Sequence, residues 1–232
     1  MHDVTYRDRA AYLPFADALV VADLHVGRAE ASNVDFPLGE EASLEARLAA
    51  LVDAFDPAAV VFAGDVLHRF DGATVRAAEG VSDLVAVCRE GGARPVMVRG
   101  NHDTALRTAW DGDVHNEYVA AENPKTVVCH GHAAPETDAS LYVVGHVHPA
   151  ITVESVRRPC YLYGEGVHRG ADVLVLPAFT RLAAGVPVNG LSGGDSGSPL
   201  ATDLDAFRPV VCDEDAGEAL PFPPLGEFRR ML

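Results

Sequence analysis

Pro95-Val96-Met97-Val98-Arg99-Gly100-Asn101-His102-Asp103 sets a short apolar run directly against a glycine, a carboxamide, an imidazole and a carboxylate. The same order occurs at four other places. LVVA precedes Asp23-Leu24-His25, VVFA precedes Gly64-Asp65, TVVC precedes His130-Gly131-His132, and LYVV precedes Gly145-His146-Val147-His148-Pro149. Each run is short and valine-rich, as expected of a parallel strand buried on both faces. Ligands of open α/β sheets bind in the crevice beyond the carboxyl ends of the strands. One geometry therefore gathers all five stretches into a single pocket. Carboxylate, carboxamide and neutral imidazole are donors that hard and borderline metal ions prefer, so the pocket reads as a two-metal hydrolytic site.

The segments around these runs extend the reading. A strand at about Ala18 to Ala22 is followed by a polar loop through Asn33, Pro37 and Gly39. Leu44, Leu48, Leu51, Val52 and Phe55 then recur at helical spacing up to Pro57. Val60 to Ala63 reads as the second strand, Thr74 to about Glu90 as a helix closed by Gly91-Gly92, and Pro95 to Val98 as the third strand. Thr104 to Trp110 suggests one or two helical turns. This β-α-β-α-β order with short connections predicts parallel strands in one sheet.

After Trp110 the segments are short and β-prone: His115 to Ala120, Thr126 to Cys129, Leu141 to Val144, Ile151 to Val156, Tyr161 to Tyr163 and Val173 to Leu176. They predict a second, more antiparallel sheet, and two sheets face to face with helices outside make a four-layer α/β/β/α sandwich. Asn189 to Pro199 is a Gly/Ser loop, and Pro209 to Cys212 a last strand. The reading is one domain over residues 1–232, irregular from about residue 213.

Composition narrows the class. Thirty-four acids against eighteen bases give a net charge of −16, and Lys125 is the only lysine. A surface of Asp, Glu and Arg suits the cytoplasm of a salt-loving, archaeal-type cell, although a GC-rich genome also favours Arg over Lys. Gripping long duplex by counterion release needs a basic stripe; the longest basic runs here are the pairs Arg157-Arg158 and Arg229-Arg230. Extended nonspecific duplex binding is therefore not expected, while small phosphorylated substrates and nucleic-acid ends remain open. Cys88, Cys129, Cys160 and Cys212 lie too far apart for a zinc ribbon and suit a reduced interior. Charges at Asp3, Arg7, Asp8 and Arg9 interrupt any signal-peptide pattern, and no apolar stretch reaches the roughly 20 residues that span a bilayer. The expectation is a cytoplasmic protein.

At the strand ends, an aspartate and a histidine two residues apart can share one ion where the chain turns. Asp65, after a glycine, has a carboxylate free to bridge two ions, and Asn101 adds a neutral oxygen. Two ions roughly 3.5–4 Å apart could share a water and lower its pKa toward about 7.

The ordered set DLH, GD, GNHD, HGH and GHVHP resembles the calcineurin-like metallophosphoesterase superfamily over roughly Asp23 to Pro149. The GDVLH form of the second motif, the compact length and the LPAF stretch (Leu176 to Phe179) are similar to one branch. It comprises small archaeal phosphoesterases related to double-strand-break repair nucleases, and DNA-ligase-associated phosphoesterases. The resemblance implies a phosphoesterase acting on diester, or second on monoester, bonds of nucleotides or nucleic-acid ends through a metal-bridging water or hydroxide. It places Asp23, His25, Asp65 and His148 on one metal, and Asp65, Asn101, His130 and His146 on the other. His102 becomes the catalytic histidine, with Asp103 orienting its ring. Mn2+ is the commonest ion in such families, with Fe, Zn or Ni as other occupants. His68 stands where many relatives carry Asp or Asn, and is substrate-facing or supports the ligands. A non-catalytic metal-binding scaffold of the same fold is the alternative, for which loss of the catalytic histidine or of several ligands would speak.

Blander readings hold elsewhere. His2, His115 and His168 read as ordinary core or surface residues, and His132 competes with His130 as ligand. Arg28 and Arg99 are candidate phosphate contacts, although an arginine beside such a motif is commonly solvated or ion-paired. Gly194-Asp195-Ser196-Gly197-Ser198-Pro199 mimics the nucleophile motif of trypsin-like proteases, but no matching histidine context is present and the β-α-β opening excludes their barrels. Selectivity is assigned to loops such as residues 26–39 and 189–199, or to a partner subunit. Protein partners and oligomeric state are not legible.

Overall fold

The computed structural model describes residues 2–28, 40–69, 72–191, 196–213 and 218–231. The polar loop through Asn33, Pro37 and Gly39, and Gly194-Asp195 of the protease-like stretch, lie outside them.

A six-stranded sheet runs in the order β1-β2-β3-β4-β5-β6, with β1 Thr5–Arg7, β2 Ala10–Leu13, β3 Ala18–Val21, β4 Ala59–Ala63, β5 Arg94–Val98 and β6 Val114–His115. From β3 to β6 the pairing is parallel. Two helices complete the crossovers, α1 Glu40–Phe55 and α2 Val75–Glu90. Glu40 and Glu41 complement the positive end of α1, and the Thr74 hydroxyl caps α2 by accepting from the Ala77 amide.

Alternate residues of the central strands enter different cores. Leu19, Val21, Val60, Phe62 and Met97 meet Leu44, Leu48, Leu51, Val81 and Leu84 of the helices. Ala18, Val20, Val61, Ala63, Val96 and Val98 face the second sheet. Burial on both faces explains why these strands read as unbroken apolar runs.

The second sheet has seven strands, ordered β16-β15-β12-β13-β9-β8-β7, with β7 Glu117–Glu122, β8 Lys125–Cys129, β9 Leu141–Val144, β12 Tyr161–His168, β13 Ala171–Val175, β15 Arg208–Asp213 and β16 Glu218–Pro221. β9 is parallel to both β8 and β13, and the other pairs are antiparallel. Val128, Val143, Tyr161 and Leu174 close the inter-sheet core. The outer face of this sheet is covered by Leu200, Leu204, Phe207, Leu225 and Phe228. The fourth layer thus consists of short turns and the single-turn helix Leu225–Phe228.

Three expectations need correction. Ile151 to Val156 is not one strand: β10 Pro149–Val153 and β11 Val156–Pro159 form a hairpin, turning at Glu154 and Ser155 with φ of 50° and 65°. With β14, Val186–Pro187, they make a small third sheet. His115 to Ala120 is divided at Asn116, because β6 joins the first sheet and β7 the second. The segment beyond residue 213 is not irregular throughout, since β16 pairs with β15 and Leu225 and Phe228 enter the outer core.

Candidate metal centre

The five motifs follow the carboxyl ends of β3, β4 and β5 in one sheet and of β8 and β9 in the other. The His146 amide bridges the two sets by donating to the Asp23 carboxylate at 2.9 Å, and backbone bonds tie neighbouring motifs within each set. Asp23 N donates to Gly64 O, His25 N to Asp65 O, and Gly145 N to His130 O. Three glycines let the motifs interlock. A Cβ at Gly64 would lie 2.5 Å from the His130 ring, one at Gly145 would lie 2.5 Å from the Asp23 carboxylate, and one at Gly100 would overlap Asp65. Each glycine therefore makes room for a polar side chain belonging to another motif.

The candidate ligands occupy unusual backbone. Asp23, His25, Asp65, His146 and His148 all have positive φ, between 49° and 68°. Residues with a Cβ enter that region at a cost of about 1–3 kcal/mol each, and such strain gathers at functional sites. Asp23, His25, Asp65 and His130 are at most 3% exposed.

The described residues hold three donor groups, one of histidines alone (His25, His68 and His102) and two that include a carboxylate. Ligand atoms of Asp23, His25 and His148 lie within 4.8 Å of one another, as do those of Asp65, His130 and His146. His148 Nε2 is 3.0 Å from Asp23 Oδ1. His130 Nδ1 lies 3.0 Å from the Ala63 carbonyl, which turns Nε2 toward Asn101 Oδ1 at 3.1 Å and Asp65 Oδ2 at 3.4 Å. Asp65 belongs to the second group, its Oδ2 lies 3.8 Å from His102 Nε2, and its charge reaches His25 of the first. Among the described residues neither ring nitrogen of His25 has a hydrogen-bond partner, although both are buried. Buried polar atoms are nearly always satisfied, so an imidazole with two orphaned nitrogens among carboxylates fits a cation. Burial pushes His25 down to about 4, against the pull of Asp23, which leaves it neutral and able to ligate.

His130 behaves in the opposite way. Burial would lower it, but the hydrogen bond it donates to Asp65 and the charges of Asp23 and Asp65 prevail and raise it to about 9. Asp65 is correspondingly held below the usual carboxylate range, chiefly by His130 against the effect of burial. In the metal-free protein a proton on His130 thus neutralises this group. Its folded-state pKa exceeds the ordinary 6.5, so the proton's stabilising contribution is complete below about 6.5 and lost as pH rises through about 9. Metal uptake must expel that proton. We expect calorimetry at about pH 7.5, in two buffers of different ionisation heat, to report proton release and an affinity that rises with pH; buffer-independent heats would contradict the assignment.

The remaining expected residues fall around these groups. His102 and His68 stack at 6.2 Å between ring centroids, and His25 meets both edge-on at 5.2 and 5.5 Å. Arg28 lies close enough that its charge, behind burial, helps lower His68. Asp103 does not orient His102. Its carboxylate accepts from the Gly100 amide at 2.8 Å, Leu67 at 2.9 Å and Val66 at 3.3 Å, stitching the second motif to the third. The His102 ring is held instead by the His68 carbonyl, 2.8 Å from Nδ1. Arg99 is exposed beside Asn101. His132 stands next to the second group, 5.3 Å from the His130 ring and 6.1 Å from that of His146. The carbonyls of Ala63 and His68 were not foreseeable, because a backbone anchor leaves no mark on residue type. Ser198, whose hydroxyl donates to the Gly131 carbonyl at 2.7 Å, lay hidden in a Gly/Ser run.

A family model described as "Calcineurin-like phosphoesterase" matches residues 17–150, more than half of the chain and all five motifs. The chain belongs to this family. It is a metal-dependent hydrolase of phosphate esters; the family implies divalent ions, and the His/Asp groups could hold them. This phosphoesterase has the same fold as a nuclease, MPE, from Pseudomonas putida: the TM-score is 0.64 at 24% identity, over 96% of this chain and 100% of that one. YfcE, a phosphoesterase from E. coli, aligns with a TM-score of 0.48 at 16% identity, over 89% of this chain and 98% of that one. No curated protein sequence matches the phosphoesterase significantly. Among its described residues no helix is long and apolar enough to cross a membrane.

Proposed function

We propose that this phosphoesterase hydrolyses phosphodiester bonds of nucleotides or nucleic-acid ends, using a dinuclear centre most readily filled by Mn2+. The observation that carries the reading is the pair of carboxylate-bearing donor groups, Asp23-His25-His148 and Asp65-His130-His146, with His102 beside Asp65. Asp23, His25, Asp65 and His148 would hold one ion, and Asp65, Asn101, His130 and His146 the other. Divalent ions held there would supply a water of lowered pKa and offset phosphoryl charge. The chain's own residues do the rest. The Ala63 and His68 carbonyls fix the His130 and His102 rings, and Asp103 keeps the second and third motifs in register. With Nδ1–H of His102 donating to a carbonyl, only the imidazolium form would carry a second proton on Nε2, and that proton would pass to the leaving oxygen and leave the ring neutral.

The test is hydrolysis of bis-p-nitrophenyl phosphate and p-nitrophenyl phosphate by metal-stripped protein in high salt. Mn2+ should restore turnover and favour the diester by at least about tenfold in kcat/KM, roughly 1.4 kcal/mol of transition-state binding. A monoester preference would move the assignment to a phosphomonoesterase, and two bound ions without turnover would move it to a binding scaffold.

A further inference from the structure

A groove of about 690 Å³ opens from Asn101 and His130 and runs away from the metal-binding groups. Its volume lies within the range of small-ligand sites. One side is formed where β5 passes to β6 and β7, with Arg99, His115 and Asn116. The other is the segment from His132 to Thr137. Both walls are fastened. Arg99 N donates to His115 O at 2.8 Å, and the Glu117 carboxylate accepts the amides of Glu136 and Thr137. The Glu117 charge is thereby engaged by the wall, and Ser198 secures the turn at Gly131.

We propose that this groove binds a second phosphate, adjacent to the scissile one, so that the enzyme selects oligonucleotide strands over isolated diesters. The inference rests on the phosphodiesterase reading and specifies its substrate. Arg99 is the principal anchor. Its guanidinium is exposed, and among the described residues no ion pair or hydrogen bond engages it, whereas Arg47, Arg76 and Arg229 are each paired with a carboxylate. In a chain of net charge −16, an uncommitted guanidinium beside a metal centre is placed for a phosphate, which it meets through two parallel hydrogen bonds. His132 lines the same groove, and it and Asn116 add polar groups there. Ala133, Ala134 and Pro135 offer a small apolar wall for sugar or base, and His115 brings an imidazole face of the kind on which unpaired bases stack. His115, an ordinary residue by sequence, thereby acquires a role.

The experiment compares TpT, with one phosphate, and TpTpT, with two, using the Mn2+-loaded protein and bis-p-nitrophenyl phosphate as reference. The wild type should hydrolyse TpTpT with a kcat/KM at least about tenfold above TpT, mainly through KM. Arg99→Ala should reduce TpTpT hydrolysis about tenfold more than TpT hydrolysis, and Arg99→Lys should restore part of the difference. Equal rates on the two substrates in the wild type would overturn the subsite. Equal losses on both in Arg99→Ala, with metal content and melting temperature unchanged, would overturn it too. Both outcomes leave diester hydrolysis standing, whereas no turnover even of bis-p-nitrophenyl phosphate would overturn the phosphodiesterase reading together with the subsite.

Discussion

Asp65→Asn should lower kcat/KM by about 10³-fold or more and reduce metal stoichiometry from two toward one. Asp65 is 3% exposed, accepts the His102 amide through Oδ1 at 2.9 Å and faces His130 Nε2 through Oδ2 at 3.4 Å. Asparagine keeps the shape and can keep the bond from the His102 amide, so the fold should survive. What disappears is the negative charge that faces His130 and reaches His25. A metal centre supplies several kcal/mol of transition-state charge stabilisation, and each 1.36 kcal/mol is one decade in rate. The variant also removes the principal partner of the His130 proton, so the pKa of His130 should fall. Metal analysis and NMR titration of the histidines measure both effects. A variant with two ions and activity within tenfold of wild type would show that Asp65 does not join the groups.

His102→Ala should cost about 10²–10⁴ in kcat while both ions stay bound, the range expected for a general acid. The sharper measurement is the dependence on leaving group. A proton delivered from Nε2 matters most when the departing oxygen is basic, so an alkyl or nucleoside diester should lose far more than bis-p-nitrophenyl phosphate. An equal loss on all esters would assign His102 to binding the phosphoryl group rather than to protonating the leaving oxygen. Unimpaired turnover would remove it from the mechanism.

The central strands were legible because burial on both faces forbids polar interruption, and α2 because Thr74 and Gly91-Gly92 bracket an apolar period. The N-terminal hairpin was missed. Its turn is made by Asp8 and Arg9 at φ 43° and 66°, where Gly or Asn is the usual sign. Glu154-Ser155 disguised the β10–β11 hairpin in the same way. The candidate donors could be read because their chemistry is written in residue type. The subsite groove could not be, since Arg99, His115, Asn116 and His132 meet only through the split between β6 and β7 and the strapping of residues 136–137. Asp103 was given the wrong partner because adjacency in sequence suggested the neighbouring ring, while its oxygens were needed by three backbone amides.

The left-handed backbone at Asp23, His25, Asp65, His146 and His148 sets stability and activity in opposition. Glycine takes that conformation without a steric penalty, and asparagine at a smaller one than most residues. A directed-evolution screen for heat resistance alone, run with a chelator so that metal affinity gives no advantage, should therefore enrich Gly and Asn at those positions, erasing the catalyst while improving the fold.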